Sequence, residues 1–290
     1  MIYASAPGKL NLFFEVGALR ADGYHPVISI YQSLAIRQRV GVEASDRWEV
    51  STTGNLPKQQ LDRVPTDESN LCVIAAKELA KYVGMQSVQP MKFFTHKEVP
   101  VAAGLAGGSA DAAASLLALN QAWNLGLDFQ QLTEVASKVG SDVPFSLLGG
   151  TALGLDTGIQ LQKLENLPLQ HVVLLVSPIG LSTREVFLAF DQMFPAGDIN
   201  QSAEMVVAGI GAMQRVGKNS LLQPALSLRE ELKEYQHLIE GTTGYLSGSG
   251  PTIYFITEDK DQATAWNQKL SSLGHFTIMT TTSPTGALLG

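Results

Sequence analysis

One glycine-rich segment constrains this chain more than any other. Residues 100–111 read Pro-Val-Ala-Ala-Gly-Leu-Ala-Gly-Gly-Ser-Ala-Asp and join a predicted strand around Phe93 to a predicted helix at 109–123. Glycines let backbone N–H groups converge without obstruction by Cβ atoms, and Ser109 would be a good N-cap for the helix behind it. The glycine-rich loop (residues 100–108) therefore predicts an anion site suited to a polyphosphate. A tight turn whose small residues only allow close packing is an equally open interpretation.

The glycine-rich loop differs from other phosphate-binding loops. It lacks the Gly-Lys-Ser/Thr ending of a P-loop, and Gly104, Gly107 and Gly108 do not fit G-x-G-x-x-G. It also lies far from the first βαβ unit expected of a dinucleotide-binding domain. The catalytic signatures of protein kinases are absent as well.

Composition narrows the class of protein further. The chain has 290 residues, of which 45% are hydrophobic and 16% charged, so it should fold into one large domain or two ordinary ones. A net charge of -7 without any Lys/Arg-rich run argues against nucleic acid as a partner. The single cysteine, Cys72, excludes an intrachain disulfide framework. We find no signal peptide and no membrane-spanning apolar stretch, and therefore expect a cytoplasmic protein with no membrane partner.

Predicted strands and helices follow one another without strict alternation. Strands are predicted at 39–43, 47–50, 91–95, 171–176, 252–256 and 276–280, and helices from Leu71 and at 109–123, 130–139, 184–194, 230–239 and 261–273. Residues 54–66 are predicted to form a loop, with Thr66, Asp67 and Ser69 as candidate caps of the helix that follows. This mixed order predicts an α+β fold rather than a doubly wound sheet. A boundary near 151–157 would divide the chain into domains at 1–155 and 156–290.

Two further segments accompany the glycine-rich loop, one near each end of the chain. Residues 6–12 read Ala-Pro-Gly-Lys-Leu-Asn-Leu, and residues 246–252 read Leu-Ser-Gly-Ser-Gly-Pro-Thr. In this order and spacing, the three segments resemble the signatures of the GHMP kinases, the superfamily of galactokinase, homoserine kinase and mevalonate kinase. The resemblance implies a two-domain fold, with a ribosomal protein S5 domain 2-like N-terminal domain and a ferredoxin-like C-terminal domain. Ala106 stands where a third glycine is common in that superfamily.

Three other segments resemble one branch of that superfamily, whose members phosphorylate a cytidine diphosphate derivative of methylerythritol in the non-mevalonate isoprenoid pathway. They are Arg-Ala-Asp-Gly-Tyr-His at 20–25, Ser-Asp-Val-Pro-Phe at 141–145 and Ser-Thr-Arg-Glu-Val-Phe at 182–187. The resemblance implies a small-molecule cytidine diphosphate substrate and ATP, with Mg²⁺ carried in by the nucleotide rather than held in a dedicated metal cage. Both a monomer and a homodimer remain open.

The resemblance also assigns two catalytic residues, Lys9 and Asp142. Phosphoryl transfer depends on positioning and charge neutralisation, and the acceptor hydroxyl must lose its proton. Asp142 matches the catalytic aspartate, and Lys9 could hold it ionised and stabilise the transferring group. Without the resemblance, an aspartate here would more often cap a turn, and a lysine would more often be a solvated surface charge.

The remaining site residues also follow from the resemblance. Tyr24 and Phe187 match two faces of a cytosine sandwich, although Phe187 lies among apolar residues and could simply belong to the core. His25 would contact the base edge, Asn11 would orient the substrate, and Thr183 lies in the cytidine-side segment. The expected nucleotide-binding residues are Asn70, Lys97, Pro100, Val101, Ala102, Ala103, Gly104, Leu105, Ala106, Gly107, Gly108, Ser109 and Ala110.

Three other functions stay open. Another GHMP kinase, of homoserine or mevalonate type, would keep Lys9 and the glycine-rich loop without needing Tyr24, His25 and Phe187 together. A dinucleotide-dependent oxidoreductase could use the same loop. A non-catalytic nucleotide-binding protein is disfavoured because Lys9 and Asp142 are both present.

Overall fold

The computed structural model describes residues 1–211 and 216–290. Its strands are β1 (Ile2–Val16), β2 (Val27–Ala44), β3 (Glu49–Gly54), β4 (Met91–Lys97), β5 (Thr151–Leu155), β6 (Gln160–Lys163), β7 (His171–Leu175), β8 (Tyr245–Leu246), β9 (Ile253–Thr257), β10 (Thr277–Thr281) and β11 (Leu288–Leu289). Its helices are α1 (Lys58–Leu61), α2 (Leu71–Tyr82), α3 (Gly107–Ala122), α4 (Phe129–Val139), α5 (Val143–Leu148), α6 (Thr183–Met193), α7 (Ala203–Gly211), α8 (Leu222–Leu228), α9 (Glu231–Tyr235) and α10 (Lys260–Ser272).

A seven-stranded sheet forms the first part of the molecule. Its main path is β11-β1-β2-β4-β3, and β5 and β6 extend it from β2. The 18-residue β2 pairs with β5 near its start and with β4 near its end, so one strand serves two branches. Helix α3 is rich in alanine and buries most of its residues, and such small side chains let it lie close against the sheet. One apolar cluster joins α2, α3 and α4 to this sheet.

The second sheet has four strands in the order β10-β7-β9-β8, all antiparallel. One of its two inner strands, β7, is the continuous apolar run predicted as a buried strand, and four of its five residues are buried. Side chains of α6, α8 and α10 join this sheet in a second apolar cluster. The α+β fold class predicted from the sequence is confirmed.

A third apolar cluster joins the two sheets. It contains Leu10 and Ile30 from the first sheet and Leu174 and Tyr254 from the second. The Tyr254 hydroxyl donates a hydrogen bond to the backbone oxygen of Asn11 at 3.1 Å. Strand β6 still belongs to the first sheet, and β7 opens the second, so the sheets change between residues 163 and 171. The division at residue 155 stays a prediction.

Residues 282–290, here named the C-terminal strap, return to the first sheet. The backbone N–H of Ser283 donates to Ser33 O at 2.9 Å, and the Arg37 guanidinium donates to Gly286 O at 2.6 Å. The N–H of Ala287 donates to Leu147 O, in α5, at 3.1 Å. Strand β11 then pairs with β1, so the strap braces α5 and covers one sheet edge.

The structure corrects several local predictions. Helix α3 begins at Gly107, so Ser109 lies in its first turn, and the N-cap is Ala106 without any side-chain capping bond. Helix α2 is capped by Asn70, whose side chain accepts from the N–H of Cys72, rather than by Thr66, Asp67 or Ser69. The predicted loop at 54–66 contains the short α1, and the helix predicted at 230–239 is reduced to α9.

Candidate active site

The three glycine-containing segments converge at one place in the fold. The N–H of Lys9 donates to Leu105 O at 3.1 Å, which joins the first segment to the glycine-rich loop. The hydroxyl of Ser247 donates to Gly104 O at 3.0 Å, which joins the loop to the third segment. A Cβ atom on Gly104 would lie only 2.2 Å from Ser247 O, so this approach requires glycine.

Lys9 is buried in β1 and points at a carboxylate. Only 4% of its surface is exposed, so the alternative of a solvated surface charge is wrong. Its Nζ donates to Asn11 Oδ1 at 2.5 Å, lies 3.7 Å from Asp142 Oδ2 and sits 5.7 Å from the centre of the Tyr31 ring. Burial lowers the pKa of Lys9 below its usual 10.5, and the neighbouring charge of Asp142 opposes that shift.

Asp142 occupies the N-cap position of α5, yet its carboxylate makes no capping hydrogen bond. The interpretation of Asp142 as a simple turn cap is therefore wrong. About a quarter of the side chain (28%) is exposed, so the carboxylate meets Lys9 on one side and solvent on another. Such a carboxylate is held by a cation and still accessible to a second molecule.

Asn11 is fixed between two parts of the site. Its Nδ2 donates to Ser29 Oγ at 2.8 Å, and the Ser29 hydroxyl donates to Phe13 O. Gly248 lies directly beside it, since a Cβ atom built there would be 3.2 Å from both Asn11 Oδ1 and Lys9 Nζ. Gly248 also has a φ of +56°, which favours glycine.

The glycine-rich loop has a backbone that suits an anion. Ala102, Gly104 and Ala106 have positive φ values of 53°, 74° and 56°, and left-handed residues at alternate positions are typical of anion-binding nests. Within the described part of the chain, no group accepts from the N–H groups of Gly107, Gly108 and Ser109. These free donors at the start of the 16-residue α3 fit a polyphosphate.

Asn70 and Lys97 are both buried, and their polar heads are already paired. The Asn70 amide donates to Pro65 O at 2.6 Å and caps α2. Lys97 Nζ forms an ion pair with Asp111 and lies 3.5 Å from Gly107 O. Burial raises the pKa of Asp111, and the Lys97 ammonium opposes that shift.

The predicted acceptor-side residues come from two elements that meet. His25, on the connection from β1 to β2, lies 5.1 Å from the ring of Phe187 on α6. Its Nδ1 lies 2.9 Å from Gly17 O, and its Nε2 lies 3.3 Å from Asp191 Oδ1. Phe187 is half-buried against the second sheet's core, so the structure leaves both interpretations of this ring open.

Tyr24 and Thr183 complete the predicted set. Tyr24 is 62% exposed beside His25, and no ring contact joins it to Phe187 in the residues that the structure covers. A base lying between two rings would separate them, so this arrangement leaves the sandwich a prediction. Thr183 Oγ1 lies 2.9 Å from Ser249 Oγ, which ties α6 to the third glycine-containing segment.

Three buried polar residues that contact the site were not predicted from the sequence. They are Gln38, whose amide contacts the glycine-rich loop, Asp111, and Asn219, whose amide donates to Leu246 O and Gly248 O. Asp111 could have been noticed as an isolated acid in an alanine-rich helix. The other two carry no local signal because their partners are far away in sequence.

Neither a metal cage nor a membrane helix is found in residues 1–211 and 216–290. No group of three or more His, Cys, Asp or Glu side chains could hold a metal ion there. No helix there combines the length and apolarity needed to cross a bilayer.

Comparisons with known proteins agree with this geometry. Residues 70–150 match the family described as GHMP kinases N terminal domain. A 4-diphosphocytidyl-2-C-methyl-D-erythritol kinase from Nocardioides sp. is 37% identical over 292 residues, covering 96% of each chain. The relative of the same name from Nocardia farcinica is 37% identical, covering 94% of this chain and 90% of its own.

Solved structures show the same relationship. The crystal structure of a 4-(cytidine 5'-diphospho)-2C-methyl-D-erythritol kinase superposes with a TM-score of 0.74 at 26% identity, covering 97% of this chain and 99% of that one. The L. major mevalonate kinase, at 15% identity and a TM-score of 0.71 over 97% of this chain and 96% of its own, shares the fold. Because near-complete coverage, identity above a third and converging signatures agree, this chain belongs to the 4-diphosphocytidyl-2-C-methyl-D-erythritol kinase family of the GHMP kinases.

Proposed function

We propose that this protein transfers the γ-phosphoryl group of ATP to the 2-hydroxyl of 4-diphosphocytidyl-2-C-methyl-D-erythritol, a step of non-mevalonate isoprenoid precursor synthesis. The observation that carries the proposal is the pairing of Lys9 Nζ with Asp142 Oδ2 at 3.7 Å. The pair lies where the glycine-rich loop meets the other two glycine-containing segments. The curated relatives with this activity in their names support the choice of substrate.

Asp142 acts as the general base. Its partly exposed carboxylate accepts the proton of the acceptor hydroxyl, so the O–H bond breaks as the new O–P bond forms and the bond to the leaving ADP breaks. Asp142 then releases the proton to solvent. Because the carboxylate does not cap α5, it is free for this task.

Lys9 supplies the positive charge at the same point. In a buried site its attraction for a negative group is stronger than in water. It faces the Asp142 carboxylate at 3.7 Å and stabilises charge on the acceptor oxygen and the transferring group. Asn11 fixes the position of the Lys9 ammonium through the 2.5 Å hydrogen bond.

The glycine-rich loop and the start of α3 bind the triphosphate. The free N–H groups of Gly107, Gly108 and Ser109 donate to phosphate oxygens, and the Ser109 hydroxyl contacts the β- or γ-phosphate or its metal. Bound ATP supplies the phosphoryl group, and Mg²⁺ arriving with it neutralises phosphate charge. Asn70 and Lys97 shape the adenine and ribose end of the site.

The acceptor binds on the side of α6 and the β1–β2 connection. Tyr24 and Phe187 stack on the cytosine ring, His25 contacts its edge, and Thr183 lies beside it. The contact between His25 and Phe187 supports this assignment because it joins both elements at one place. Asn11 orients the methylerythritol end toward Asp142.

The rest of the proposal concerns the molecule as a whole. We assign residues 1–155 to the domain that carries the glycine-rich loop and 156–290 to the second domain, from which β6 and β11 pair with the sheet of the first. The protein works in the cytoplasm, where ATP is supplied, as a monomer or homodimer.

A coupled assay of ADP release over a panel of acceptors tests the proposed function. With MgATP, we expect turnover of 4-diphosphocytidyl-2-C-methyl-D-erythritol and none of homoserine or mevalonate. Comparable turnover of homoserine would contradict the choice of substrate. If none of the acceptors in the panel gives ADP release, the protein would only bind the nucleotide. Quenching of nicotinamide fluorescence on titration with the protein would indicate the oxidoreductase alternative.

A further inference from the structure

Gln38 is a fully buried glutamine of β2 for which the proposed mechanism has no task. Its amide joins the two ends of the glycine-rich loop. Oε1 accepts from the N–H of Glu98 at 2.9 Å and from the N–H of Val99 at 3.2 Å, just before the loop. Nε2 donates to Gly107 O at 3.2 Å, where the loop ends and α3 begins.

The hydrogen-bond pattern allows only one orientation of this amide. The oxygen faces two donors and the nitrogen faces an acceptor, so a flipped amide would oppose like groups at both ends. The two ends are also in direct contact, since a Cβ atom on Gly107 would lie 3.2 Å from Val99 O. The Gln38 amide therefore fixes the distance between Val99 and Gly107, from which the loop projects.

A second buried tie crosses the same base of the loop. Lys97, the last residue of β4, forms an ion pair with Asp111 on α3 and approaches Gly107 O at 3.5 Å. Apart from the first hydrogen bond of α3, from the Ala110 N–H to Ala106 O, the described residues give the loop three other hydrogen bonds: Gln60 with Val101, Ser247 with Gly104, and Lys9 with Leu105. The base of the loop is thus a place where the start of α3 is held by polar contacts, in addition to its packing against the sheet.

We propose that Gln38 is a positioning residue that sets the affinity for nucleotide phosphates by holding the two ends of the glycine-rich loop together. The inference rests on the proposed function only in taking the loop as the nucleotide site. Gln38 acts by holding the backbone of Gly107, and with it the free N–H groups at the start of α3. Gln38 itself lies beneath the loop and contacts no substrate.

The same strand provides a matched control in Gln32. This glutamine is also buried, and its amide also makes three hydrogen bonds. Nε2 donates to Ser33 O and Ser283 O at 3.0 and 3.1 Å, and Oε1 accepts from Thr151 Oγ1 at 2.7 Å. None of these partners belongs to the glycine-rich loop. The substitutions Gln38→Met and Gln32→Met should therefore cost similar stability but differ in their effect on nucleotide binding.

The test measures, for wild type and both variants, the dissociation constant of MgADP by calorimetry and the melting temperature of the free enzyme. We expect both variants to melt earlier, and Gln38→Met alone to bind MgADP more weakly, by roughly 5- to 30-fold for the loss of one or two hydrogen bonds. Equal nucleotide affinity in the two variants would overturn the proposal. If wild type binds MgADP but phosphorylates none of the acceptors, the substrate proposal fails while this comparison still decides the role of Gln38.

The variant Gln38→Glu adds a second measurement, the pH dependence of MgADP binding, which would not change if Gln38 only stabilised the fold. When protonated, the glutamate hydroxyl can donate to Gly107 O as the amide does. When ionised, it offers only lone pairs to that carbonyl. The ratio of the MgADP dissociation constants of Gln38→Glu and wild type should therefore rise with pH. A ratio that stays constant with pH would contradict the proposal.

Discussion

At the residue scale, the site combines the buried ammonium of Lys9 with the carboxylate of Asp142, which makes no capping hydrogen bond to α5. Asp142→Asn keeps the shape of the side chain and removes its ability to accept a proton. We expect kcat to fall by about 10²–10⁴-fold, the usual contribution of a general base, while the affinity for ATP hardly changes. Steady-state kinetics with both substrates checks this prediction. A kcat close to that of wild type would show that Asp142 is not the base.

The lowered pKa of Lys9 should make the free energy of unfolding depend on pH. Its pKa is lowered by burial, so between that lowered pKa and 10.5 the unfolded chain binds more protons than the folded one. The Lys9 contribution to the free energy of unfolding therefore rises with pH across that window. Lys9→Met should lack this rise and should also lose turnover. Urea unfolding of both proteins at several pH values measures the difference, and parallel curves would contradict the prediction.

Phe187 tests stacking against core packing. If the ring stacks on cytosine, Phe187→Leu should raise KM for the cytidine substrate about 5- to 100-fold, from the loss of ~1–3 kcal/mol, and leave KM for ATP unchanged. Phe194→Leu is the matched control, since Phe194 is the C-cap residue directly after the same helix and is also half-buried against the same core. An earlier melting of Phe187→Leu without a change in KM would assign the ring to the core.

At the element scale, the third glycine-containing segment is predicted to matter by its closeness to Lys9. Gly248→Ala would bring a Cβ atom within 3.2 Å of Lys9 Nζ and Asn11 Oδ1. Gly241→Ala is its control, because Gly241 also has positive φ but no atom within 4 Å of the new Cβ. Both changes should cost about 1–2 kcal/mol of stability for a left-handed alanine.

The two glycine variants should differ in activity. A displaced Lys9 ammonium should lower kcat of Gly248→Ala by roughly 10- to 100-fold, since small displacements in a catalytic site are costly. Gly241→Ala should keep the wild-type kcat. Equal kcat values would mean that Lys9 and Asn11 tolerate the added methyl group.

The elements that the sequence predicted have either clear periodicity or, in β7, a short continuous apolar run. Strands β4 and β7 and helices α4, α6 and α10 lie within a few residues of their predicted bounds. Strand β1 was not predicted because its eleven consecutive buried residues, from Ala6 to Val16, include Pro7, Gly8, Lys9 and Glu15, so they form neither an alternating pattern nor an apolar run. Ser109 looked like a cap, but the left-handed backbone at Ala106 starts α3 earlier than any side-chain signal shows.

The site was only partly predictable for a related reason. Lys9 and Asp142 stand in recognisable segments, so both could be named as catalytic candidates. The burial of Lys9 follows from the packing of β1 between distant elements, and the ties made by Gln38 and Asn219 join residues far apart in sequence. Such contacts are set by topology and leave no local pattern.

At the scale of the whole molecule, the C-terminal strap links the end of the described chain to the helix that begins after Asp142. A chain shortened to residues 1–282 would lose the hydrogen bonds from Ser283 to Ser33 and from Ala287 to Leu147, and β11 with them. We expect a loss of at least about 2 kcal/mol in the free energy of unfolding, at roughly 0.5–1.5 kcal/mol per hydrogen bond, and a lower kcat.

Chemical denaturation and steady-state kinetics measure these two effects. Gly286→Ala keeps the strap but would place a Cβ atom 2.0 Å from Leu147 O, so it should reproduce the loss of stability in part. Unchanged unfolding of the shortened chain would show that the strap is dispensable.

The pairing of β11 with β1 also has a consequence in time. Ala4 and Leu289 are 285 residues apart along the chain, although they are partners in one sheet. At a synthesis rate of roughly 5–20 residues per second, β1 leaves the ribosome about 15–60 s before β11 can reach it. During that interval, the edge of β1 at Ala4 and Ser5 lacks its strand partner and presents N–H and C=O groups of the kind that recruit strands from other chains. The sheet of this protein is therefore completed only at the end of synthesis, and until then this short edge stays open to other strands.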